Sequence, residues 1–135
     1  MITADTQIML SKPYVEISYD AAKKVIVAQW KGFLTLDQTK EGCELMNEFI
    51  KKHEVKNHLS DHTHLKVLSK SVQDYLTGEW FAKVESLGLT KIAVKVAEDV
   101  FAQATVKKVN TQQKYGNMTI DTFGSYPAAY EWLQK

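Results

Sequence analysis

Apolar and polar residues alternate along Tyr14–Tyr19 (YVEISY), the pattern of a strand with one wet face. After the short polar break Asp20-Ala-Ala-Lys23, Val25–Trp30 (VIVAQW) is rich in β-branched residues and predicts a second strand. So short a break joins the two most simply as an antiparallel hairpin, which Gly32 ends. The period then changes. Leu36, Thr39, Cys43, Met46 and Ile50 recur at spacings of three and four, one face of a helix from about Leu36 to His53. Thr35 stands where an N-cap belongs; Asp37 suits the start of the helix dipole, and Lys51, Lys52 and His53 suit its end.

Val55–Asp61 predicts a weak third strand running into a polar loop, His62–Lys66. A helix is expected over Ser71–Leu87, with Val72, Tyr75, Leu76, Trp80, Val84 and Leu87 in a stripe and Gly88 as its stop. Lys91–Val96 predicts a fourth strand, and Glu98-Asp99 opens a helix carrying Val100, Phe101, Ala104 and Val109. Met118–Phe123 predicts a fifth strand, after which Ser125 caps a last helix with Pro127 in its first turn. The order β-β-α-β-α-β-α-β-α describes an α/β fold on a mixed, mostly parallel five-stranded sheet. It is expected as a single domain over 13–135, after a flexible N-terminal segment, 1–12.

Strands covered on both faces read as continuous apolar runs, and these do not. Glu16 and Ser18 alternate with Val15 and Ile17, Lys95 separates Val94 from Val96, and Asp121 follows Ile120. Crossovers between parallel strands are right-handed in about 98% of cases, so strands laid side by side in chain order put their helices on one side. The helices are therefore expected mainly on one face, leaving the other for a partner, a ligand or a second copy.

Composition narrows the function. A chain of 135 residues with net charge +1 has no global pull toward nucleic acid or an anionic membrane. No apolar run approaches the ~20 residues of a transmembrane segment, and a cytoplasmic location is the default expectation. Cys43 is the lone cysteine and lies on an apolar helix face, where a thiol is inert. No nucleophile elbow, phosphate loop or dinucleotide fingerprint is present, so neither catalysis nor a cofactor is expected.

Five features carry candidate chemistry. His58, Asp61, His62 and His64 fall within seven residues and are of metal-ligand type, which keeps metal-dependent hydrolysis open beside the reading of a plain polar loop. Asp61 ends a strand, where open α/β sheets place ligands, and could equally bond loop amides. Ser69 and Ser71 stand at a helix start, fit for capping or for phosphate. Asp99 lies in the next strand-to-helix loop. Trp80, Phe81, Tyr75, Phe101 and Trp132 fit either a packed core or an apolar pocket.

The W-K-G-F of Trp30–Phe33, the strand ending at Asp61, the Glu79-Trp80 pair and the Glu98-Asp99-Val100-Phe101 helix opening resemble the small bacterial SpoIIAA-like (STAS-like) proteins. The resemblance spans roughly Tyr14 to Leu133. It implies a fold shared with regulatory STAS domains and, more distantly, lipid-carrying CRAL-TRIO domains. It also points to Ser69 and Ser71 as counterparts of a phosphorylated serine, although the aspartate before and the glycine after that serine are missing from Leu68-Ser69-Lys70-Ser71-Val72. The expectation is a non-enzymatic regulatory or protein-interaction module that meets a protein partner or itself, as a homodimer. It would act near Asp61, Ser69, Ser71, Trp80, Asp99 and Phe101. The alternative is a small carrier or sensor of an apolar, lipid-like ligand.

Overall fold

The computed structural model describes residues 6–112 and 116–135. Its strands are β1 (Thr6–Lys12), β2 (Val15–Asp20), β3 (Val25–Gly32), β4 (Asn57–Leu65), β5 (Lys91–Lys95) and β6 (Thr119–Phe123). They form one sheet in the order β1-β2-β3-β4-β5-β6. β1 to β3 pair antiparallel and β3 to β6 pair parallel. The helices are α1 (Leu36–His53), α2 (Lys70–Tyr75), α3 (Phe81–Ser86), α4 (Val100–Gln112) and α5 (Tyr126–Leu133); a π-helical turn, Leu76–Trp80, joins α2 to α3.

The sheet has six strands, not five, because Thr6–Lys12 is not a flexible segment. It pairs with β2 from Thr6↔Asp20 to Lys12↔Val15. A bulge between Ile8 and Leu10 inserts an extra residue, which breaks the alternation that would have marked a strand. The part of that segment before Thr6 lies outside the described residues. A second bulge hid the end of β4. Gln29↔Asp61 is followed by Lys31↔His64, one more residue on β4 than on β3, and pairing continues to Leu65 through the expected loop.

Right-handed crossovers put α1 to α4 on one face. There Ile17, Ile26, Trp30, Ile92 and Val94 of the sheet meet Cys43, Met46 and Ile50 of α1 and Val72, Trp80 and Val84 of the following helices. Burying a side chain of this size is worth roughly 1.5–3 kcal/mol. Thr35 caps α1 as expected, in a reciprocal box with Gln38. Gly42 lets α1 settle onto Trp30: a Cβ there would lie 2.7 Å from the indole Cη2. On α4 the buried stripe is Ala102, Val106 and Val109, at spacings of four and three. Val100, Phe101 and Ala104, expected on that stripe, are exposed instead.

The opposite face is not wholly open. α5 returns across it, and Ala129 and Leu133 pack on Val25, Val27, Leu59 and Ala93. Glu16, Ser18 and Gln29 mark the polar remainder toward β1, alternating with inward residues as their strands require.

Candidate functional site at the carboxyl edge of the sheet

Parallel strands deliver their carboxyl ends, and the loops that follow, to one edge of the sheet. Here those loops are tied together. The Lys66 N–H donates to the Gly32 carbonyl at 3.0 Å, the Glu98 N–H to the Thr63 carbonyl at 3.2 Å, and the Leu68 N–H to Thr105 Oγ1 at 3.2 Å. Lys66 Nζ sits 3.7 Å from Asp99 Oδ2. Four large apolar side chains project from these loops and the first turn of α4: Phe33 is 70% exposed, Val67 38%, Val100 66% and Phe101 73%.

The polar candidates at this edge have structural partners. Ser69 accepts from the Val72 N–H at 3.3 Å and so caps α2, with Ser71 Oγ 3.2 Å from Ser69 Oγ. Asp99 accepts from the N–H groups of Phe101 at 2.8 Å and Ala102 at 3.3 Å, which open α4. Those two bonds hold its carboxyl below the ordinary carboxylate value.

Asp61 is buried and faces the α5 side. The Tyr126 hydroxyl donates to its Oδ2 at 2.6 Å; the Thr63 N–H and hydroxyl donate to its Oδ1 at 3.0 and 2.7 Å. Gln29 Nε2 adds a longer contact of 3.4 Å. Lys95 Nζ donates to Thr63 Oγ1 at 3.1 Å and lies 5.4 Å from the centre of the Tyr126 ring. Burial pushes the Asp61 carboxyl up, but the Tyr126 and Thr63 bonds and the Lys95 charge outweigh it, and the net shift is downward. Burial and the bond to Asp61 push the Tyr126 hydroxyl up. An ionised carboxylate whose two oxygens are both engaged is a poor general base. Chemically this cluster latches the start of α5 onto the sheet.

The histidines do not converge. His58 and His62 point to the helix face, Asp61 to the other, and His64 is exposed. Four residues along a strand span about 13 Å, too far for His58 and His62 to share one ion. Among the described residues no three His, Cys, Asp or Glu side chains are grouped to hold a metal. Buried under the helices, both rings are neutral: desolvation brings each down to about 4. The His58 Nδ1–H donates to the Ile26 carbonyl at 2.9 Å, and Ser60 Oγ lies 2.7 Å from His62 Nε2.

Trp80 is core, with its Nε1–H donating to Asn47 Oδ1 at 3.0 Å and its ring edge-on to His58. Phe81 is buried beside it, and Trp132 packs on Phe123 across the sheet. Phe101 belongs to neither group. Burial pushes the Cys43 thiol well up, consistent with an inert position. Beside Trp80 a small cavity of about 60 Å³ remains, lined by Trp30, Cys43, Leu68, Phe81 and His62 among others.

Sequence reasoning missed Phe33, Lys95, Tyr126 and the π-helical turn. Phe33 follows the glycine that ends its strand, a signal for an exposed aromatic. Nothing in the local pattern marks the π-turn.

No protein-family model and no curated protein matches the chain. A solved structure does: an uncharacterized protein of the DUF3478 family from Shewanella loihica PV-4, described as having a SpoIIAA-like fold. The two share 15% identity at a TM-score of 0.51, over 95% of this chain and 91% of that one. No helix among the described residues is long and apolar enough to cross a membrane. Element order, sheet topology and this likeness together give the protein a SpoIIAA-like fold.

Proposed function

We propose that the protein is a non-enzymatic interaction module that docks a protein partner on the carboxyl edge of its sheet. The observation that carries this reading is the exposure of Phe33, Val67, Val100 and Phe101 on neighbouring, mutually bonded loops and the helix opening that follows them. Singly exposed apolar residues are ordinary; a group of large ones on one edge is the arrangement of an anchor patch. Its charged neighbours, Lys66 paired with Asp99, are of mixed sign. That mixture suits a protein surface better than an anionic membrane, which would select for a cationic rim.

A photo-crosslinking residue placed at Phe101 tests this, with one on the outer side of α1 at Glu48 as control. The expected result is a discrete adduct from position 101 alone, lost when Phe33→Ser and Val67→Ser are introduced at other anchor positions in turn. Adducts identical at both sites, or insensitive to the anchor substitutions, would sink the reading. A dimer mass for that adduct would make the partner a second copy.

The apolar-ligand alternative has one observation in its favour, the cavity beside Trp80. At about 60 Å³ it is far smaller than the 300–1,000 Å³ typical of ligand pockets, so it does not hold a lipid chain by itself.

A further inference from the structure

A second space adjoins the cavity beside Trp80. It is a groove of about 330 Å³ along the first turns of α4, lined by Val96, Ala97, Val100 and Ala104 with the polar Gln103, Lys107 and Thr122. His62, Val94 and Val106 line both spaces and so form the wall they share. Joined, the two would reach the size range of small-molecule sites. The inner chamber alone has room for roughly four to six waters, or for a short branched alkyl group.

In that wall His62 is 9% exposed, and its Nδ1 has no hydrogen-bond partner among the described residues. The other ring nitrogen fixes what Nδ1 offers. If Ser60 donates its hydroxyl proton to Nε2, both atoms of that 2.7 Å contact are satisfied and the ring proton sits on Nδ1. The opposite assignment would leave the serine proton stranded as well. Hydrogen-bond accounting therefore makes Nδ1–H an unused donor. A buried donor without an acceptor is costly, and a native core seldom keeps one without a reason. The wall of the chamber is also irregular where it need not be: Leu76 and Trp80 reach it from the two ends of the π-helical turn, a distortion frequent at functional sites.

We propose that chamber and groove form one binding site for a small, uncharged, largely apolar molecule carrying a carbonyl or hydroxyl oxygen. Its alkyl end occupies the chamber against Trp30 and Trp80, its oxygen accepts from His62 Nδ1, and the remainder lies in the groove along α4. Because the groove shares Val100 with the exposed edge, occupancy would be felt at the docking surface. The site itself is independent of that reading.

Methyl isobutyl ketone tests it, beside the matched alkane in which a methyl-bearing carbon replaces the carbonyl. Both are titrated into the full chain and followed by imidazole nitrogen NMR and tryptophan fluorescence. The ketone should move the His62 Nδ1 resonance, which the alkane should leave in place, and His62→Leu should weaken the ketone about tenfold relative to the alkane, the worth of one buried hydrogen bond. Should that variant fail to fold, Ala104→Trp, at an exposed position, plugs the groove from outside and should abolish ketone binding. Equal weakening of both probes by His62→Leu, with no ketone effect on the Nδ1 resonance, would reduce the site to an apolar void and overturn the role given to His62. No response to either probe, or ketone binding unchanged by Ala104→Trp, would overturn the proposal. Phe33 and Phe101 are untouched throughout, so failure here leaves the docking edge to stand or fall on its own test.

Discussion

Lowering the pH from 7 to 5 should destabilise this protein steeply, through two buried imidazoles. His58 and His62 have an ordinary value of 6.5, and desolvation lowers each to about 4 in the folded chain. Unfolding returns both rings to water, where they bind protons below pH 6.5. The unfolded state then holds more protons than the folded one, so stability falls as pH falls. The contribution is complete above pH 6.5 and disappears progressively down to about 4. At pH 5 each ring is 1.5 pH units into that window, which at ~1.4 kcal/mol per unit comes to about 2 kcal/mol apiece. Roughly 4 kcal/mol is a large share of the 5–15 kcal/mol that holds a typical domain together. Urea denaturation followed by circular dichroism would read it: at a slope near 2 kcal/mol/M, the midpoint should drop by about 2 M between pH 7 and 5. His62→Leu should leave about half of that dependence. A midpoint that moves by less than about 0.5 M across the window would refute the premise that both rings are buried and neutral.

Gly42→Ala should cost about 1–3 kcal/mol in urea denaturation, because the new methyl meets the Trp30 ring. That sign is opposite to the ~1 kcal/mol gain alanine brings to an unconstrained helix position. Asp61→Ala leaves the Tyr126 hydroxyl and the Thr63 groups without their acceptor and should cost about 2–4 kcal/mol. Hydrogen exchange should show the loss first in α5; a uniform loss across the sheet would mean the carboxylate does not act as a latch. Ser69→Ala should cost ~1 kcal/mol, while Ser69→Asp, which keeps an acceptor for the Val72 N–H, should be near neutral in the same assay.

The elements most legible in the sequence were those whose period is unbroken. α1 runs from Leu36 to His53 with Thr35 as its cap, as the spacing of Cys43, Met46 and Ile50 predicts. The β2–β3 hairpin is equally plain in the alternation of Val15, Ile17 and Tyr19. What escaped was written in bulges. Met9 interrupts β1, and the extra residue near His62 interrupts β4, so neither stretch keeps a period of two. α4 was found but rotated wrongly, since Val100 and Phe101 look like core until the neighbouring loops place them outside. Asp61 was singled out for its place at a strand end, yet its partners Tyr126 and Lys95 lie far along the chain and only the fold brings them together. The histidine cluster misled for three separate reasons: alternation turns Asp61 away from His58 and His62, four residues of strand hold those two rings apart, and the bulge in β4 leaves His64 exposed.

The strands stand side by side in the order in which they occur in the chain. No strand has to be threaded between two others already paired, so during synthesis the sheet can grow at one margin as each segment emerges from the ribosome. The helix face closes in step with that growth, each crossover covering the strand just laid down. The second face waits. Leu59 and Ala93 have no cover until Ala129 and Leu133 arrive with the final helix. A chain in which α5 has not yet docked carries an apolar strip bare along the middle of this face. The eight-residue helix α5 therefore serves as the seal on that face, and the chain is most open to aggregation and to chaperones until it docks.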